Sequence, residues 1–213
     1  MNDIIQTITV YAIPVIFAIT LHEAAHGYVA KYFGDATAFL QGRVSLNPLK
    51  HVDPVGTILI PLVLALLQFG FIFGYAKPVP VNFENLRNPK RDMIWVALAG
   101  PTANLVQAFL WVGIGTMLAM LRVTEPYFAA VVRAGVVVNC VVFAFNLIPV
   151  PPLDGGRVVM GLLPNRAALS YSRVEPYGFF IVMGLVAFGL LSVWMTPIVT
   201  GLLTFFGALS AFL

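Results

Sequence analysis

Long apolar runs alternate along this chain with short polar intervals. From Ile4 to Ala30 the only formal charge is Glu23, and the run is long enough to cross a hydrocarbon core. No Lys or Arg precedes Lys31, so the basic start of a cleavable leader is missing and the run is expected to remain as a helix. Val55–Gly74 is a charge-free run interrupted by Pro61. Met93–Leu121 is longer and carries Gly100-Pro101 and Asn104 within it. Ala134–Leu153 ends in Pro149-Val150-Pro151-Pro152-Leu153. No charge follows Glu175, and Pro197 predicts a break into two helices, Tyr177–Met195 and Ile198–Phe212.

The polar intervals carry turn chemistry. Asp35–Pro54 contains Gly42, Asn47-Pro48 and Asp53-Pro54. In Lys77-Pro78-Val79-Pro80-Val81-Asn82 the prolines stand two apart. As a strand, this segment loses the amides of Pro78 and Pro80 on one edge and keeps those of Lys77, Val79 and Val81 on the other. A polyproline-like surface loop fits the same residues equally well.

Composition narrows the class. Hydrophobic residues make up 60% and charged residues 10%, with a mean hydropathy of +0.92. That leaves too little polar surface for a soluble globule and too much apolar content for disorder. The single cysteine, Cys140, excludes a disulfide framework and a four-cysteine metal site, and reads as an inert packed thiol. The net charge of +3 comes from basic residues scattered in short clusters between apolar runs. They read as anchors at a membrane surface rather than as a nucleic-acid footprint. Trp95, Trp111 and Trp194, with Tyr75, Tyr127 and Tyr177, suit packing or lipid-interface positions. The expectation is an all-α polytopic membrane protein of five to six transmembrane or re-entrant helices with a small membrane-associated β element. Residues 1–213 form a single membrane domain, with a catalytic core at about 4–160 and further helices at 176–213.

Candidate chemistry concentrates in His22-Glu23-Ala24-Ala25-His26. Residues four apart share one face of a helix, so both imidazoles can meet one metal ion, with Glu23 beside them to act on a water. Three ionisable groups in a spanning helix point to a functional site, because burying them without partners costs several kcal/mol. Catalytic zinc takes three protein ligands, so a third must come from elsewhere. Asp154 is the leading candidate, closing an apolar run between prolines and Gly155-Gly156. Taken alone, Asp-Gly-Gly is also an ordinary turn, and His51 stays open as a loop or interfacial histidine with a possible metal or gating role.

The pentapeptide inside a membrane helix, together with Phe145-Asn146-Leu147-Ile148-Pro149-Val150-Pro151-Pro152-Leu153-Asp154-Gly155-Gly156-Arg157, resembles the site-2 protease family of intramembrane zinc metalloproteases. Ala99-Gly100-Pro101-Thr102-Ala103-Asn104-Leu105 is similar to that family's middle core helix. The resemblance covers roughly residues 10–160. It implies one zinc ion held by His22, His26 and Asp154, with Glu23 as the catalytic carboxylate. It also implies a substrate-facing Asn146 and a Lys77–Asn82 segment in a membrane-embedded sheet. An additional leading helix and a PDZ-like or CBS-like module, found in other branches, are not expected here.

The implied activity is endoproteolysis within or near the transmembrane segments of substrate proteins, as in regulated intramembrane proteolysis. The partners are then a transmembrane protein or membrane-bound peptide and the lipid bilayer, with no nucleic acid. Residue chemistry agrees with this: Glu23 takes a proton from the attacking water and passes it to the leaving amine. Asn146 is suited to hydrogen-bond substrate, or else another helix. The free amides of Lys77, Val79 and Val81 would pair with an unwound substrate, and Asn104 would lie near the active site. Arg157 reads as an interface anchor. A metal-ion transporter or channel is the competing reading, since intramembrane His and Asp also line ion paths. It needs several exchangeable sites, whereas this chain offers one compact cluster.

Topology follows from the same residues. For Asp154 to reach the depth of His22 and His26, the first helix and the run ending at Leu153 should be parallel. Met93–Leu121 supplies the one crossing that this requires, so Val55–Gly74 is expected to dip into the membrane and return. Lys31, Arg43, Lys50, Lys77, Arg87, Lys90, Arg91, Arg157, Arg166 and Arg173 then share one side, against Arg122 and Arg133. By the positive-inside rule the active site opens toward the cytoplasmic side of the cell membrane.

Overall fold

The computed structural model describes residues 2–60, 63 and 76–212. Helix α1 (Asn2–Tyr32) carries the pentapeptide, and a one-turn helix α2 (Thr37–Leu40) follows it. Further α-helices among the described residues are α3 (Pro89–Met120), α4 (Pro126–Asn146), α5 (Asp154–Leu162), α6 (Asn165–Ser172), α7 (Gly178–Ala187) and α8 (Leu190–Phe212). Proline begins α3 and α4, where its missing amide would be unpaired in any case. Among the described residues, Ile5–Tyr32, Pro89–Met120, Pro126–Asn146 and Leu190–Leu209 are long and apolar enough to cross a membrane. The chain is a multi-pass membrane protein.

The bundle is apolar outside and small or polar inside. Ile8, Phe17, Leu110, Phe180 and Val193 are exposed, whereas Ala18, Ala24, Asn104, Gln107 and Asn139 are buried. Lipid tails offer no hydrophobic drive between helices, so small residues and polar side chains supply the contact. As the numbering rises along α1 it falls along α3. Ala18 accepts from Gln107, His22 meets Asn104, His26 meets Val96, and Ala30 packs on Met93. These two helices are therefore antiparallel. Against α4 the order is the reverse: Thr9 accepts from Tyr127, Val10 packs on Val131 and Ala134, and Asp154 beyond the helix end reaches His22. Helices α1 and α4 run parallel, as the sequence predicts.

The expected dip of Val55–Gly74 lies largely outside the described residues. Its entry is a π-helical turn at Pro54–Leu59, capped by Asp53, whose carboxylate accepts from the amides of Val55 and Gly56. The amide of Lys77 donates to the carbonyl of His51 at 2.9 Å, so the two ends of the interval are neighbours. Single cysteines at Lys50 and Arg87 should therefore react with an impermeant thiol reagent from the same membrane face. Reaction from opposite faces would require a net crossing between them.

Three sequence expectations change. The C-terminal tail does not break at Pro197, which lies inside α8. The break is at Gly189, whose φ of +69° is a left-handed conformation that glycine adopts at no steric cost and that ends α7. A proline in a membrane helix is tolerated where neighbouring groups satisfy the freed carbonyl. The run Ala134–Leu153 is not one helix, because α4 ends at Asn146 and residues 147–153 form a proline-rich turn before α5.

The expected β element is not shown: no strand occurs among the described residues. Lys77–Asn82 is extended but fastened within the chain. Arg43 donates to the carbonyls of Lys77 and Pro78, Lys77 donates to His51, Val79 donates to Glu23, and Asn82 donates to Asp35. Preformed acceptors thus occupy the amides of Lys77 and Val79, which the sequence left free for pairing. Asp35 anchors the far end, accepting also from the Thr37 amide and hydroxyl and from Asn85. Burial favours its neutral acid, yet these donors hold the carboxyl below the usual carboxylate range.

Candidate active site

His22, Glu23 and His26 sit in the C-terminal half of α1, and α3 crosses them at Gly100. A Cβ at Gly100 would lie 2.5 Å from His22 Nε2 and overlap His26 Nε2, so the absence of a side chain there makes room for both imidazoles. Gly100→Ala should displace the ring pair and abolish metal retention. Metal content measured beside thermal stability checks this, because overpacking alone costs about 1–3 kcal/mol.

Each imidazole is oriented through Nδ1, that of His22 on Asn104 Oδ1 and that of His26 on the Val96 carbonyl, both at 2.7 Å. An oxygen acceptor at Nδ1 puts the proton there and leaves Nε2 with its lone pair. The two Nε2 atoms are 3.0 Å apart. Asp154, the first residue of α5, places Oδ2 at 3.2 Å from His22 Nε2 and Oδ1 at 3.4 Å from His26 Nε2. Its position depends on close backbone packing. A Cβ at Gly155 or Gly156 would collide with the backbone of Leu147 or Pro151, and Tyr171 fastens the same turn by donating to the Pro149 carbonyl at 2.7 Å.

The ligand atoms of His22, His26 and Asp154 all lie within 4.8 Å of one another. In the neutral tautomer with the proton on Nδ1, each imidazole turns an Nε2 lone pair toward the Asp154 carboxylate. Asp154 Oδ2 is buried and accepts no hydrogen bond from the described residues. Such a cluster repels itself unless a cation fills it, and two imidazoles with one carboxylate suit a catalytic zinc ion. Glu23 is half-buried beside the cluster, and its Oε2 accepts from the Val79 amide at 2.7 Å.

Of the other candidates, Asn104 lies next to the site as expected and the Val79 amide reaches Glu23, but none of them is among the clustered ligands. Asn104 is not substrate-facing: it is fully buried and bonded to His22, because an imidazole N–H in an apolar interior needs an acceptor. Asn146 donates to Val142 on its own helix at 3.0 Å. The Val79 side chain is buried and faces Gly27, whereas Lys77 is exposed. His51 is buried in its loop, with Nε2 2.8 Å from the Ser45 carbonyl, and is not among the clustered ligands. Arg157 lies outside the cluster. It pairs with Glu175 at 2.7 Å and stacks over Phe83, tying α5 to the segment that follows Asn82.

Sequence reasoning missed Asn139, fully buried on α4, whose Oδ1 accepts from Asn104 Nδ2 at 2.9 Å. An uncharged polar residue in an otherwise apolar run was the available signal. Cys140 beside it is buried against Ala108, Val112 and Phe206.

The profile of peptidase family M50 matches residues 121–189, which include Asp154. YwhC of Bacillus subtilis (strain 168), a protein named for zinc metalloprotease activity, is 38% identical over 193 residues, covering 85% of this chain and 83% of its own. The chain therefore belongs to the site-2 protease family, peptidase family M50, of membrane zinc metalloproteases. Rip2 of Mycolicibacterium smegmatis (strain ATCC 700084 / mc(2)155), also named as a zinc metalloprotease, is 30% identical over 92% of this chain and 73% of its own. Its namesake in Mycobacterium tuberculosis (strain ATCC 35801 / TMC 107 / Erdman) is 31% identical over 65% of this chain and 51% of its own. No solved structure matches the chain. Family membership speaks against the transporter or channel reading.

Proposed function

We propose that this protein is an intramembrane zinc endopeptidase that cuts peptide bonds within or near the transmembrane segments of other proteins. His22 Nε2, His26 Nε2 and the Asp154 carboxylate would hold one zinc ion. The observation that carries the reading is the convergence of these three groups, two lone-pair nitrogens and a carboxylate, beside Glu23 in the interior of a membrane bundle. Zinc supplies Lewis acidity there, acidifying water and polarising a carbonyl.

The chain's own residues do the rest. Glu23 is the general base, taking the proton of the attacking water and delivering it to the leaving amide nitrogen. The Val79 amide holds Oε2, so the carboxylate is oriented before substrate arrives. The extended segment at Lys77–Asn82 lies over the same face of α1. An unwound substrate backbone would contact its side chains or displace its fastened amides, with Val81 and Asn146 as further contact candidates.

The substrate is a transmembrane protein or membrane-bound peptide. By charge distribution, the site faces the cytoplasmic side of the cell membrane. The test is cleavage of a single-span model substrate in proteoliposomes by purified protein. Cleavage should stop on chelation and return with stoichiometric zinc. A fully zinc-loaded protein that leaves every such substrate intact would overturn the reading.

A further inference from the structure

We propose that Asn139 is a positioning residue for the metal site. With Asn104 and two backbone carbonyls it forms a one-way carboxamide relay that sets the tautomer and orientation of His22, so that Nε2 faces the metal position. The proposal rests on the zinc reading above and adds a residue that touches no ligand. His22 can bind a metal through Nε2 only if its proton stays on Nδ1, and that requires an acceptor at Nδ1. Asn104 supplies Oδ1 at 2.7 Å. A carboxamide has two nearly isosteric ends, so the same residue turned over would offer N–H to Nδ1 and drive the imidazole proton onto Nε2. That tautomer points a donor at the metal position and cannot ligate.

The structure contains what prevents the flip. Asn104 Nδ2 donates to the Ala18 carbonyl at 3.2 Å and to Asn139 Oδ1 at 2.9 Å. Turned over, Asn104 would set its oxygen against both of these acceptors. Asn139 cannot turn to accommodate it, because its own Nδ2 donates to the Gly135 carbonyl at 2.9 Å. Backbone carbonyls cannot exchange donor for acceptor. Ala18 on α1 and Gly135 on α4 therefore fix the polarity of the whole relay. Asn104 and Asn139 both have 0% exposure, so solvent does not substitute for a lost partner. Each amide hydrogen bond is ordinary; the direction imposed on the set is what matters to the metal.

Asn139→Leu keeps the branched shape of the side chain and removes the acceptor for Asn104, and Asn139→Ser is a second cut. A helical serine hydroxyl bonds its own i−4 carbonyl, here Gly135, and is too short to replace Oδ1 at Asn104. Zinc affinity is measured by chelator competition on the full chain in detergent. The His22 tautomer is read from 15N imidazole shifts after chelation, and the melting temperature of the chelated form is recorded alongside. Both variants should bind zinc about 10–100-fold more weakly. Both should also show the Nε2–H form of His22, which the unaltered protein lacks. Unchanged affinity and tautomer in either folded variant, with only a lower melting temperature, would make Asn139 plain helix-helix adhesive and overturn the proposal. Weaker zinc binding with the native tautomer would overturn it as well. If the unaltered protein binds no zinc, the zinc reading fails by itself, and the tautomer comparison still decides the relay.

Discussion

Glu23→Gln protein is expected to retain its metal and to lose hydrolysis by at least about 10²–10⁴-fold, the range that a positioned general base contributes. Glu23 follows His22 directly and does not share the helix face on which His22 and His26 meet Asp154, so removing its charge leaves the three clustered ligands in place. The glutamine oxygen can still accept from the Val79 amide, which keeps the side chain and the extended segment where they are. What the amide cannot do is take a proton from water. Metal analysis and a cleavage assay on the same purified sample check this. Turnover near that of the unaltered protein would remove Glu23 from the mechanism, and loss of metal would make it a ligand.

Asp154→Ala has the second large expected effect, a loss of both metal and activity. Removing the carboxylate leaves two lone-pair nitrogens 3.0 Å apart with no anionic partner among the clustered ligands. Affinity should then fall by more than the roughly 10–100-fold that losing an outer partner of a ligand costs. His51→Ala is the matched control. His51 is also ionisable and still more buried, but it bonds the Ser45 carbonyl in its own loop, so its loss should cost stability and leave metal content intact. Metal retained by Asp154→Ala, or lost from His51→Ala, would reverse the two assignments.

Local pattern fixes whatever depends on spacing along one element. The i, i+4 separation puts His22 and His26 on one face of α1 in any helix, and charge-free runs of this length imply spans whatever packs against them. Parallel α1 and α4 followed from the need for Asp154 to share the depth of the histidines. Apart from Asn104, the second layer of the site escaped the sequence because it is built from three elements at once. Gly100 clears space for two rings on another helix, Val96 offers a backbone carbonyl that any residue would offer, and Asn139 acts through Asn104. None of these roles leaves a periodic mark.

Competition between acceptors was equally invisible. The alternation of prolines correctly counted the amides available at Lys77 and Val79. Whether those amides stayed free depended on His51 and Glu23 arriving within 2.9 and 2.7 Å of them. In an interior where an unpaired amide costs more than a hydrogen bond gains, the nearest fixed oxygen takes the donor. Residue types and their spacing settled which groups could ligate, donate or span. Which of them meet was left to the packing of the helices, because hydrogen-bond partners and metal ligands are chosen by distance across helices, to which separation along the chain is blind.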